Sequence, residues 1–159
     1  MDIYVKYSPA ADSRTATGPV SKEDLLASSV YHIGDVQKAL TWLASKLVYA
    51  GAMHDHTKIS GIDDFYDSFS RSIAGSKTFT QEPWYENHIS IERHHLNEKC
   101  PEDVTLIDVL ERAADITTAA AARGGKVYKV YDDTLDPELL LRAYKNTVRL
   151  LQEHIIVEK

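Results

Sequence analysis

Apolar side chains return every three or four positions through most of this chain, and that period predicts helices. Ile33, Val36, Leu40, Leu43 and Leu47 form one such stripe, preceded by the capping-box-like Ser21-Lys22-Glu23-Asp24. Together they predict a long helix from Ser21 towards Tyr49, which Gly51 ends or bends just before His54. Ile62, Phe65, Tyr66, Phe69 and Ile73 predict a second, shorter amphipathic helix, followed by a polar connection from Gly75 to Gln81. A third helix is expected to take Thr80 as its cap and Pro83 in its first turn, and to run through Trp84 to Leu96. Pro101 and Asp103 introduce a fourth, from Val104 to about Ala122, closed by Gly124-Gly125. The last helix starts with Asp136 as cap and Pro137 in its first turn, with Leu140, Tyr144, Val148, Leu151 and Ile155 facing inward.

Little of the chain has a strand period. Ile3 to Tyr7 alternates weakly, as a short strand or an ordered arm would. Ser8 to Pro19 reads as a loop, and Lys126 to Tyr131 as a strand-like or irregular excursion. The expected fold is therefore all-α: a compact helical bundle of five or more helices with a short N-terminal arm. A single domain is expected over residues 1–159, with an arm over 1–20, a core over 21–123, a loop over 124–136 and a C-terminal helix over 137–157.

Composition narrows the function. The hydrophobic and charged fractions, 43% and 26%, are ordinary for a globular protein. A formal charge of −6 argues against broad nucleic-acid binding or an anionic membrane surface, but not against a small anionic substrate beside a metal. Cys100 is the single cysteine, which leaves no internal disulfide and no cysteine-based zinc site. No apolar run reaches membrane-spanning length and Met1-Asp2-Ile3 begins nothing like a signal peptide, so a cytoplasmic protein is expected.

The chemistry sits in an ordered series of imidazoles and carboxylates: His32, His54-Asp55, His88, His94-His95 and Asp115. Such groups together suit divalent transition metals. His32 falls on the apolar side of its predicted helix, where a lone histidine is more often a core residue bonded to a carbonyl. His88 and His95 are two helical turns apart and share a face on a continuous helix, whereas His94 is turned away, towards substrate or solvent. Asp115 shares a polar stripe with Asp108 and Glu111, an arrangement that is usually just solvated.

The series resembles the HD-domain metalloenzymes, all-helical proteins named for an adjacent His-Asp pair. His32 matches the upstream histidine, His54-Asp55 the pair, and Asp115, within Glu111-Arg112-Ala113-Ala114-Asp115, the distal aspartate. His88 and His95 fall where members with two metals carry two further histidines, and Lys58 completes a His-Asp-x-x-Lys string. Asp55-His56 is a competing pair, but only His54-Asp55 leaves Lys58 in the family's place. The resemblance spans Ser28 to about Arg123.

It implies one or two divalent ions (Mn, Fe, Co or Zn) held by His32, His54, Asp55, His88, His95 and Asp115. Asp55 is the natural bridge between two ions, because a carboxylate has two oxygens to share. Asp55 and Lys58 are the expected catalytic residues, with Lys58, His94, Arg93 and Arg123 as candidate contacts to substrate phosphate. For Lys58 an exposed lysine after a turn is the plain alternative, and for Arg93 and Arg123 an ordinary surface role. The function implied is a phosphohydrolase of nucleotides or other small phosphoesters, working through metal-activated water. A di-iron oxygenase and a non-catalytic nucleotide sensor are the alternatives. The expected partner is a small phosphorylated molecule, no membrane is expected, and self-association is left open.

Overall fold

The computed structural model describes residues 2–6, 16–75, 78–96, 100–123 and 135–158. Tyr7, most of the Ser8 to Pro19 loop, Gly124-Gly125 and the Lys126 to Tyr131 excursion lie outside the described residues. The fold is all-α. Its helices are α1 (Lys22–Met53), α2 (His56–Ser60), α3 (Ile62–Ile73), α4 (Pro83–Ile91), α5 (Leu106–Ala122) and α6 (Pro137–His154), joined by a two-stranded sheet of β1 (Ile3–Lys6) and β2 (Ile155–Glu158). No described helix is long and apolar enough to cross a membrane.

Side-chain caps mark the starts of α1, α5 and α6. The backbone N–H of Asp24 donates to Ser21 Oγ at 3.0 Å, so Ser21 caps α1. Thr105 and Asp108 form a reciprocal capping box at the start of α5, and Asp136 Oδ1 accepts the Glu138 N–H at 3.0 Å ahead of α6. Before α4, a 3₁₀ turn at Phe79–Gln81 is closed by a box between Thr78 and Gln81, and Pro83 is the first helical residue. Thr80, expected as the cap of this helix, lies inside the 3₁₀ turn; the residue at the N-cap of α4 is Glu82, without a side-chain cap bond, and Thr78 caps the turn before it.

Two helix ends differ from the sequence reading, and a third differs in where the chain turns. The first helix ends just before His54, as expected, but it runs through Gly51 to Met53, and the turn falls at Asp55, whose backbone is left-handed at φ 54°. Aspartate tolerates that region better than most residues, so the turn falls there. The third helix stops at Ile91 rather than Leu96, because Glu92 is extended at φ −78°, ψ 109°. The last helix stops at His154. The β-branched run Ile155-Ile156-Val157 leaves it to become β2, which pairs parallel with β1 in the register Ile3↔Ile155 to Lys6↔Glu158.

The chain divides into two compact units: Met1–Lys46 with Val148–Lys159, and Leu47–Thr147. In the first, Ile3 and Trp42 are buried, and the Trp42 ring lies 4.7 Å from the His154 ring. The apolar stripe expected to be the buried face of α1 is not: Ile33, Val36 and Leu40 are exposed, and Trp42 is its buried side chain. In the second unit, Leu96, Val104, Leu139 and Ala143 form the core, with Leu106, Val109, Leu135 and Cys100 packed around them. Asn146 ties the turn before α5 onto α6 by donating to the carbonyls of Glu102 and Val104 at 3.0 and 2.9 Å. An aromatic stack of Phe65 on Trp84 (4.4 Å) and Trp84 on His88 (5.0 Å) joins α3 to α4 and backs one histidine of the site.

Candidate metal centre

The site lies within the second unit and is drawn from the end of α1, the turn that follows it, α4, the segment beyond α4, and α5. Asp55 is at its centre. The left-handed turn lets His54 and Asp55, adjacent in sequence, face one point, which a regular helix would prevent by turning them about 100° apart. Two groups of ligand atoms form around Asp55, each with its members within 4.8 Å of one another: His54, Asp55 and His94, and Asp55, His88 and His95.

In the first group, His54 Nε2 stands 3.6 Å from Asp55 Oδ2 and 3.4 Å from Asp115 Oδ1, while His94 Nε2 stands 3.6 Å from Asp55 Oδ1. In the second, His88 Nε2 is 3.4 Å from Asp55 Oδ1 and 3.1 Å from His95 Nε2. Ligand atoms at 2.0–2.1 Å from one tetrahedral ion stand about 3.3 Å apart, so these separations suit a shared cation. Asp55 Oδ1 is buried and makes no hydrogen bond, an oxygen lone pair aimed into the cluster without a donor. The donor set, imidazole with carboxylate, is the one that Mn, Fe, Co and Zn accept. The residues present therefore fit a divalent ion.

The far sides of the imidazoles are held as well. His54 Nδ1 is 3.0 Å from Glu111 Oε1, and a carboxylate only accepts, so the neutral ring carries its proton on Nδ1 and leaves Nε2 free. His94 Nδ1 lies 3.1 Å from the same oxygen, in ion-pair range though misaligned for a hydrogen bond. For His88 the relay is longer. Thr57 Oγ1 gives its proton to Glu92 Oε1 at 2.7 Å and so must accept from His88 Nδ1, also at 2.7 Å, which again frees Nε2 for the cluster.

Charge is balanced locally. Burial works to raise the Asp55 pKa, but the hydrogen bond and charge of Lys58, with His54 and His88, bring it below the usual value. Glu111 behaves likewise: His94 and His54 outweigh its burial and lower its pKa. Burial lowers His54, yet Glu111, Asp55 and Asp115 reverse that and its net shift is upward. His88 is lowered chiefly by burial, and His95 is pushed down to about 4 by burial and by the neighbouring His94 and His88. Unprotonated imidazoles at His88 and His95 have lone pairs to give a metal.

No family model, curated protein or solved structure matches this chain. The site is therefore read from its own geometry.

Of the residues singled out from sequence, His54, Asp55, His88, His95 and Asp115 come together. His32 does not. It is exposed on α1, which continues without a break to Met53, and it enters neither group. His94, read from sequence as a substrate contact, is 1% exposed and inside the cluster; the reading assumed a helix that ends five residues earlier. His56 is exposed at the start of α2, so the pair that counts is His54-Asp55. Lys58 Nζ contacts Asp55 Oδ2 directly. Arg93 donates to Asp108 and Asp103 instead, and their carboxylates raise its pKa further. Arg123 is exposed at the end of α5. Sequence reasoning missed Glu111, Thr57 and Glu92. Glu111 had a usable signal, since it stands one turn before Asp115 on the same helix face.

Proposed function

We propose that this protein is a metal-dependent phosphohydrolase of small phosphoesters, built on an HD-type ligand set. The observation that carries the reading is Asp55, which belongs to both groups: its Oδ1 stands 3.4 Å from His88 Nε2 and 3.6 Å from His94 Nε2, one imidazole of each, and its Oδ2 stands 3.6 Å from His54 Nε2. A carboxylate so placed suits a bridge between two ions. A divalent ion there would polarise a phosphoryl oxygen and acidify a water, the chemistry that phosphoester hydrolysis needs. His54, His94, Asp55 and Asp115 would hold one ion; Asp55, His88 and His95 would hold a second.

Within that reading the chain's own groups divide the work. Glu111, and Thr57 with Glu92, keep the imidazoles turned so that their Nε2 atoms face inward. Lys58 neutralises Asp55 in the protein by itself, and its ammonium lies within reach of an anionic group at the cluster. Asp115 and Glu111 would keep a free phosphate from lodging unless a cation offsets them. His32 is in neither group of ligand atoms, and in this reading His94 serves as the second imidazole on the first ion.

The test is an anaerobic assay over nucleotides and simple phosphoesters, with Mn and Fe supplied separately. Phosphate release without oxygen supports the hydrolase. Turnover seen only with Fe and only in air would replace it with an oxygenase, and tight nucleotide binding without turnover would indicate a sensor.

A further inference from the structure

We propose that the open cleft beside His54 receives the uncharged apolar or aromatic part of the substrate. The inference rests on the phosphohydrolase reading and names the substrate class for that same site. The cleft has a volume of about 340 Å³, enough for a ring or a short alkyl group. It is walled by Leu47 and Gly51 of α1 and by Leu110, Ala114 and Thr118 of α5, and it opens onto His54, Glu111 and Asp115.

Three observations favour an apolar guest. First, no lysine or arginine lines the cleft, and two carboxylates stand at its edge beside the single imidazole of His54, so an anion is disfavoured inside. Second, Leu110 is 52% exposed, which leaves apolar surface that a carbon skeleton would cover. Third, Gly51 lies in the last turn of α1, two residues before its end at Met53, and brings no side chain to the cleft wall. A Cβ built there meets nothing within 4 Å, so tight packing does not account for the glycine. What the missing side chain leaves is room in the cleft. A substrate would then bind in two parts, its phosphate at the cluster beside Lys58 and its apolar part between α1 and α5.

The experiment compares phenylphosphonate with methylphosphonate, neither of which is hydrolysed, by titration calorimetry on the Mn-loaded protein. The wild type is expected to bind the phenyl compound about ten-fold more tightly, as a filled apolar pocket allows. Gly51→Leu, which fills the cleft from α1, should remove that preference while metal content and methylphosphonate affinity stay as they were. Ala114→Leu fills it from α5 and serves as the second variant, should circular dichroism show that the first disturbs the helix. Equal affinities in the wild type, or a preference that survives both variants, would overturn the cleft assignment alone. Binding of neither phosphonate would overturn the phosphohydrolase reading instead.

Discussion

At the scale of single residues, the site depends on three carboxylates with different tasks. Asp55 joins the two groups, Asp115 faces the first, and Glu111 orients the imidazoles of His54 and His94 from behind. Replacing an orienting partner of this kind weakens metal binding about 10- to 100-fold. Glu111→Ala should therefore lower Mn affinity by that order, measured by calorimetry, with the helical content retained; unchanged affinity would make Glu111 a bystander. Asp55→Asn should abolish binding, and asparagine is the cleaner choice because it too tolerates the left-handed turn that alanine would strain. Lys58→Ala should keep the metal and raise KM or lower kcat, as the loss of a substrate-charge contact would. Residue type together with the order of the HD-like series made most of the cluster legible: His54-Asp55, His88, His95 and Asp115 stand in the sequence as an ordered set. Glu111 hid among solvated-looking acids because its role depends on rings from two other segments, which no periodicity reveals. His32 joined the series by order alone, and order does not place a residue in space.

At the scale of elements, the helices were legible and their ends were not. Capping residues and prolines marked most starts, since their side chains act on the adjacent backbone. Ends carried weaker signals. No glycine or proline separates Ile91 from Leu96, so nothing local announced that α4 stops, and His94 was misplaced as a result. The β-branched run after His154 was such a signal, but Ile155 also continued the helical period. One element also offers a direct test. Asp108 is 4% exposed and accepts the Thr105 backbone N–H at 2.7 Å, the Thr105 hydroxyl at 2.9 Å and Arg93 Nε at 2.8 Å, so it caps α5 and fixes the segment that carries His94 and His95. Asp108→Ala removes a cap and leaves a buried donor unmatched, at a cost of about 2–3 kcal/mol in chemical denaturation. Arg93→Ala should cost less, because its side chain is 42% exposed.

At the scale of the whole molecule, the helical class followed from the period of apolar residues. The burial did not. The stripe on α1 predicted a covered face, yet Ile33 and Leu40 are 66% and 60% exposed. An amphipathic pattern states which side of a helix prefers cover, and supplies no information on what covers it. The second unit, Leu47–Thr147, has its own apolar core in Leu96, Val104, Leu139 and Ala143, so its fold is expected to persist without a metal. Metal should still stabilise it by mass action, by about 2.7 kcal/mol at a hundred times the dissociation constant, read as a rise in Tm that Asp55→Asn does not show. The most direct test of the central claim is elemental analysis of protein purified with Mn present, wild type beside Asp55→Asn. Two groups sharing one carboxylate predict about two equivalents in the wild type and almost none in the variant. A wild type that retains no metal, or a variant that retains as much as the wild type, would contradict the account.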